Sequence, residues 1–167
     1  MHTYMNRNHH DKNQDSSFHP RFCGCIAHDP KMVRATEELY AEELYAISAY
    51  TYRSLLCDRS DLFMDLSKDE MRHFRLLGEL ILSLGGNPMI RTQIRVEACE
   101  LDRREAYASP KGCRQMLADS IREEKHAIDR YQTLMGCTND RIVRSVLSGI
   151  VDDEQRHLEW LSAAKID

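Results

Sequence analysis

Residues Asp69-Glu70-Met71-Arg72-His73 return as Asp153-Glu154-Gln155-Arg156-His157, 84 positions later (69 to 153). Upstream of each copy lies a second matched stretch, ELYAISAY over 43–50 and EKHAIDRY over 124–131, 81 positions apart (43 to 124). The repeat yields two Glu-x-x-His pairs, Glu70/His73 and Glu154/His157, and two further glutamates, Glu43 and Glu124. A Glu and a His at i and i+3 share a helix face. One such pair on a helix is ordinarily solvated. Two copies, each with an inward Glu on the preceding helix, make the ligand set of a two-metal site inside a four-helix bundle.

The surrounding apolar pattern supports helices throughout. Asp29-Pro30 reads as an N-cap followed by proline at the first helical position. Thr36, Leu39, Glu43, Ile47 and Tyr50 then step by three or four, so Glu43 lies on the inward stripe. In the second helix the stripe is Leu62, Leu66, Glu70, His73, Leu77, Leu80 and Leu84, ended by Gly85-Gly86-Asn87-Pro88. The third stripe is Leu117, Ile121, Glu124, Ile128, Tyr131 and Met135, and the fourth Val143, Val146, Ile150, Glu154, His157 and Leu161. The helices are expected at about 30–57, 60–84, 110–135 and 140–164, each about 37 Å long. Residues 89–108 read as a crossover connection with some helix, and residues 1–28 as a flexible, His-rich tail ahead of a domain over 29–167. The expected fold is all-α: an antiparallel four-helix bundle built from two helical hairpins joined by a crossover. A competing arrangement is a long helical hairpin that completes its bundle only by dimerising.

Composition narrows the classes. A chain of 167 residues with 42% hydrophobic content fills one domain with a real core. A net charge of -4 gives no sign of nucleic-acid binding, and no apolar run of membrane-spanning length occurs. The polar N-terminus does not read as a secretory signal, so the expected compartment is the cytoplasm. Cys57, Cys99, Cys113 and Cys137 are therefore expected as reduced, buried small hydrophobes. In the tail, His19, Cys23, Cys25 and His28 do not follow a standard zinc spacing and read as solvated.

Buried ionised carboxylates are costly unless paired or coordinating. Two divalent cations would offset the four inward glutamates Glu43, Glu70, Glu124 and Glu154. Without metal, some of these groups are expected to hold protons and titrate together. Mixed oxygen and nitrogen ligation suits iron or manganese and also admits zinc. Glu43 and Glu124 are preferred over their neighbours Glu42 and Glu123 because each precedes an inward Tyr by seven residues. Tyr50 and Tyr131 are either core residues or hydrogen-bond donors to a ligand carboxylate. Asp69 and Asp153 are either exposed charges or acceptors for the outer N–H of a ligand histidine.

On these residues the chain resembles the ferritin-like superfamily, in particular bacterioferritins and the di-iron domain of rubrerythrins, from Pro30 to Ala164. ELYAISAY is similar to the first-helix motif of bacterioferritins, SKDEMRHFRLLGELILSLGGNP (67–88) to their second helix and DDEQRHLEWL (152–161) to their fourth. The resemblance implies that Glu43 and Glu124 are terminal ligands, that Glu70 and Glu154 bridge the ions, and that His73 and His157 each hold one. It also has departures. Rubrerythrins usually carry a further Glu where this chain has Ala127, and often a Cys-x-x-Cys iron domain that is absent here. Cage-forming ferritins have a fifth helix beyond the fourth, so a closed cage is not expected. Met71 stands where bacterioferritins place a haem-ligating Met; haem is not expected, since Met beside the ligand Glu serves equally as a gap-filler.

The resemblance implies two iron ions per chain and a di-iron oxidoreductase reducing hydrogen peroxide or dioxygen. The preferred form is a rubrerythrin-like peroxidase, a homodimer fed by a separate electron-donor protein. The alternatives are a ferroxidase or iron-storage protein of the bacterioferritin type, and a non-catalytic, metal-stabilised interaction module.

Overall fold

The computed structural model describes residues 29–90 and 110–164. These form four helices: α1 (Pro30–Leu56), α2 (Ser60–Ser83), α3 (Pro110–Gly136) and α4 (Arg141–Ala163). No strand occurs among the described residues. The tail residues 1–28, with His19, Cys23, Cys25 and His28, and most of the expected crossover, 91–109, lie outside them.

Local chemistry sets the helix ends. The Asp29 carboxylate accepts from the amides of Lys31 and Met32, and Pro30 opens α1 where its missing N–H costs nothing. At the end of α2, Gly85 adopts φ 82°, a conformation that disfavours side chains. This lets the Gly86 amide donate to the Ile81 carbonyl at 2.8 Å and the Gly85 amide to the Leu82 carbonyl at 3.0 Å. Asp140 caps α4 through the amides of Ile142 and Val143.

Short connections make α1–α2 and α3–α4 antiparallel hairpins. Between hairpins, α1 also runs antiparallel to α3: Glu43 meets Tyr131, Tyr50 meets Glu124 and Cys57 meets Cys113. On the other side α2 is antiparallel to α4, with Asp69 against His157 and His73 against Asp153. The single chain thus supplies all four helices, which removes the reading in which the bundle closes only by dimerising.

The core is split in two. One apolar cluster holds Leu39, Leu77, Leu80, Tyr131, Leu147 and Ile150; the other holds Tyr50, Phe63, Leu66, Met116 and Leu161. On every helix, Glu43, Glu70, Glu124 or Glu154 falls between residues of the two clusters. Each fully buried aliphatic contributes about 1.5–3 kcal/mol, so two apolar layers clamp the polar one.

Three expectations need correction. Cys57 and Cys113 are joined in a disulfide, with Cα atoms 5.4 Å apart, rather than being reduced thiols. Docking of the two hairpins brings them within bridging distance, and spacing along the chain does not report that. Cys137 is exposed, not buried; it sits in the turn between α3 and α4. In α3 the most deeply buried positions are Cys113, Met116, Ser120, Glu124, Tyr131 and Leu134, while Leu117, Ile121, Ile128 and Met135 are only half-buried. Ser120 escapes an apolar count because its hydroxyl is satisfied within the helix by the Met116 carbonyl at 2.9 Å.

Candidate metal centre

Glu43 comes from α1, Glu70 and His73 from α2, Glu124 from α3, and Glu154 and His157 from α4. All six side chains are at most 5% exposed. They fall into two overlapping groups, Glu43–Glu70–His73–Glu154 and Glu70–Glu124–Glu154–His157. Within each group one ligand atom per residue lies within 4.8 Å of all the others. Glu70 and Glu154 belong to both.

Both imidazoles turn Nδ1 toward the carboxylates. His73 Nδ1 is 2.9 Å from Glu70 and 3.2 Å from Glu154; His157 Nδ1 is 3.2 Å from Glu154 and 3.3 Å from Glu70. Their Nε2 atoms face the opposite hairpin: His73 meets Asp153 and His157 meets Asp69, each at 3.3 Å. Tyr50 donates to Glu124 and Tyr131 donates to Glu43, again across the hairpins. Glu42 and Glu123 are outside this layer, 48% and 42% exposed, and pair with Arg130 and Arg53.

Two arginines escaped the sequence reading. Arg72 and Arg156 both pair with Asp153. A signal was present: each occupies the fourth position of its repeated motif, just before the histidine. Arg53 was also missed; it grips Glu123 through both terminal nitrogens at 2.6 and 2.8 Å.

Charge is balanced by protons. Burial pushes the Glu43 carboxyl well up, aided by the nearby charge of Glu70. Burial and the hydrogen bond with Glu154 push Glu124 up to about 9. Burial also acts on Glu70 and Glu154, but hydrogen bonds outweigh it and hold both below the usual range, from His157 and His73 for Glu70 and from Glu124 and His157 for Glu154. Burial disfavours imidazolium at His73, yet hydrogen bonds with Glu154 and Glu70 push it up to about 10. His157 is raised against the same burial by Asp69, Glu124 and Glu154. Without metal, burial therefore favours the protonated form of Glu43 and Glu124, while hydrogen bonding favours the charged forms of Glu70, Glu154 and the two histidines, so opposite charges offset one another within the layer.

The donor set fits two divalent ions. Glu43 Oε2 is buried with no hydrogen-bond partner among the described residues, a costly state that a coordinated cation would relieve. Oxygen-rich ligation with one imidazole per group suits iron or manganese.

A cavity of about 470 Å³ opens beside this cluster. Its floor includes Glu43, Glu70, Glu124 and Glu154, and its walls are formed mainly by α1 and α3. Neither His73 nor His157 lines it.

None of the curated protein sequences matches this chain. Among solved structures, the fold is similar to a dodecameric thioferritin, the bacterioferritin-related protein from Bacteroides fragilis. The TM-score is 0.65 at 20% identity, covering 79% of this chain and 82% of that one. The sequence profile of the ferritin-like domain matches residues 34–165. A match across most of the chain, on a four-helix bundle of this architecture, places the protein in the ferritin-like family.

Proposed function

We propose that this protein binds two iron ions between its hairpins and reduces hydrogen peroxide or dioxygen with them, preferably as a rubrerythrin-like peroxidase. The observation that carries this is the pair of overlapping ligand groups sharing Glu70 and Glu154. In this reading Glu43 and His73 would hold one ion and Glu124 and His157 the other, with Glu70 and Glu154 available to both because they belong to both groups. When bound, the ions would supply one electron each, and these two electrons with two protons reduce hydrogen peroxide to two waters, or dioxygen as far as peroxide.

The protein's own residues provide the rest. Asp153 and Asp69 accept from Nε2 of the histidines, fixing the tautomer that presents Nδ1. Tyr50 and Tyr131 donate hydrogen bonds to the terminal carboxylates and hold them in place. The apolar clusters on both sides keep bulk water from the two ends of the layer. A separate donor protein returns the electrons, and the working unit is a homodimer.

A second reading is ferroxidase and iron storage, favoured by the dodecameric, bacterioferritin-related structure on which this fold superposes. Anaerobic titration of metal-free protein with Fe(II), followed by peroxide or dioxygen added separately, tests both. Saturation at about two irons per chain, with much faster oxidation by peroxide, is expected. Good oxidation by dioxygen followed by uptake of many more irons would favour storage. Failure to bind beyond one weak iron would sink both.

A further inference from the structure

The two flanks of the ligand layer are built differently. On the α2–α4 flank both histidine side chains are fully buried, with Asp69, Asp153, Arg72 and Arg156 behind them. On the α1–α3 flank the cavity runs from exposed residues such as Tyr45 and His126 down to the four carboxylates. Anything crossing this flank meets carboxylate oxygens first, including the unpartnered Glu43 Oε2.

Two features keep the passage open. Half-buried alanines, Ala46 on α1 and Ala127 on α3, line the cavity where longer side chains would fill it. The long rim side chains are tied sideways: Glu123 to Arg53, Glu42 to Arg130 at 3.2 Å, and Arg122 to Asp119. Tyr50 and Tyr131 bound the cavity itself, and beyond Tyr50 the interior of the same two helices is closed by Met116 and the disulfide.

We propose that the α1–α3 gap is the route by which divalent ions and the small oxidant reach the carboxylates, and that Ala46 and Ala127 set its width. This rests on the two-metal reading of the site. A passage residue raises or lowers the barrier to entry and exit alike, without touching the bound ion. Enlarging it therefore slows both directions and leaves the equilibrium unchanged.

The test is stopped-flow uptake of Co(II) by the metal-free full-length protein, followed by visible absorption, with release measured by adding excess chelator. Ala46→Leu and Ala127→Leu should each slow uptake and release by about tenfold, within the span over which a single interface varies its on-rate. Stoichiometry and affinity should stay as in the parent. Ala41→Leu, on the exposed face of α1 outside the cavity, should change neither rate. Ala46→Val and Ala127→Val give a graded series, Ala faster than Val faster than Leu, and carry the test if either leucine variant loses its helical circular dichroism. Unchanged rates across the series would overturn the proposal. So would slower uptake with unchanged release, because that means lost affinity rather than a narrower door. A parent protein that takes up no Co(II) would instead sink the two-metal reading, a separate failure.

Discussion

The seam between α1 and α3 and the seam between α2 and α4 join the same two hairpins by different chemistry. The first uses a covalent link, Cys57–Cys113, a bidentate Arg53–Glu123 pair and the buried Tyr50–Glu124 and Tyr131–Glu43 hydrogen bonds. It leaves a cavity in its middle. The second has no covalent link; it is closed by imidazole–carboxylate–guanidinium chains running through Asp69 and Asp153. On the proposed reading, access and ligand orientation are divided between the flanks: the α1–α3 seam leaves a cavity down to the carboxylates, while the α2–α4 seam fixes the two histidine rings through Asp69 and Asp153.

The strongest way to break this comparison acts on residues that both seams share. Glu70→Ala or Glu154→Ala should abolish binding of the ion pair, since each lies in both ligand groups. Isothermal titration that still counts two ions in either variant would refute the bridging role.

A large effect is also expected from pH. In the metal-free protein Glu43, Glu124, His73 and His157 are all shifted toward holding protons, which bound ions would displace. Metal binding should therefore release protons and strengthen as pH rises. For the metal-free protein the sign is opposite. Glu124 and His73 have folded pKa values raised to about 9 and about 10, above their unfolded values of 4.5 and 6.5. Their contribution to stability is complete below the unfolded values and is lost as pH rises through the folded ones. The melting temperature of metal-free protein should fall between about pH 7 and 10, while that of metal-loaded protein should not. Parallel pH profiles for the two forms would contradict the proton-for-metal exchange.

Reducing the disulfide, or Cys57→Ala, acts on the α1–α3 seam alone. It should cost about 2–5 kcal/mol of stability by freeing the unfolded chain, read as a lower denaturation midpoint. Metal stoichiometry should be unaffected, because neither sulfur lies in a ligand group. Loss of metal on reduction would show that the strap also shapes the site.

On the α2–α4 seam the two aspartates are unequal. The Asp153 side chain is 11% exposed and held by Arg72 and Arg156, whereas Asp69 is 31% exposed with Arg72 at 3.9 Å. Asp153→Ala should weaken metal affinity by about 10–100-fold and Asp69→Ala by less. Equal losses would mean that the arginines add nothing to histidine orientation.

Much of this arrangement was legible in the chain. The 3.6-residue period and the helix signals at Asp29 and Gly85 report helices because they arise from contacts a few residues apart. Duplication then singled out Glu43, Glu70, His73, Glu124, Glu154 and His157, and the inward Tyr after each lone Glu separated Glu43 from Glu42 and Glu124 from Glu123. In α3 the stripe placed Glu124 and Tyr131 correctly but passed over buried Cys113, Met116 and Ser120, while Leu117, Ile121, Ile128 and Met135 pack half-buried against the core.

By itself, then, the sequence determined the helices, their hairpin order and which acidic and histidine side chains point inward. Only the tertiary structure decided what crosses between hairpins: that Asp153 serves His73 and Asp69 serves His157, that Cys57 reaches Cys113, and that a cavity opens on the α1–α3 flank. The physical reason is range. Periodicity and capping are properties of neighbouring residues, whereas the register of one hairpin on the other is set by how two distant apolar layers pack around the polar one.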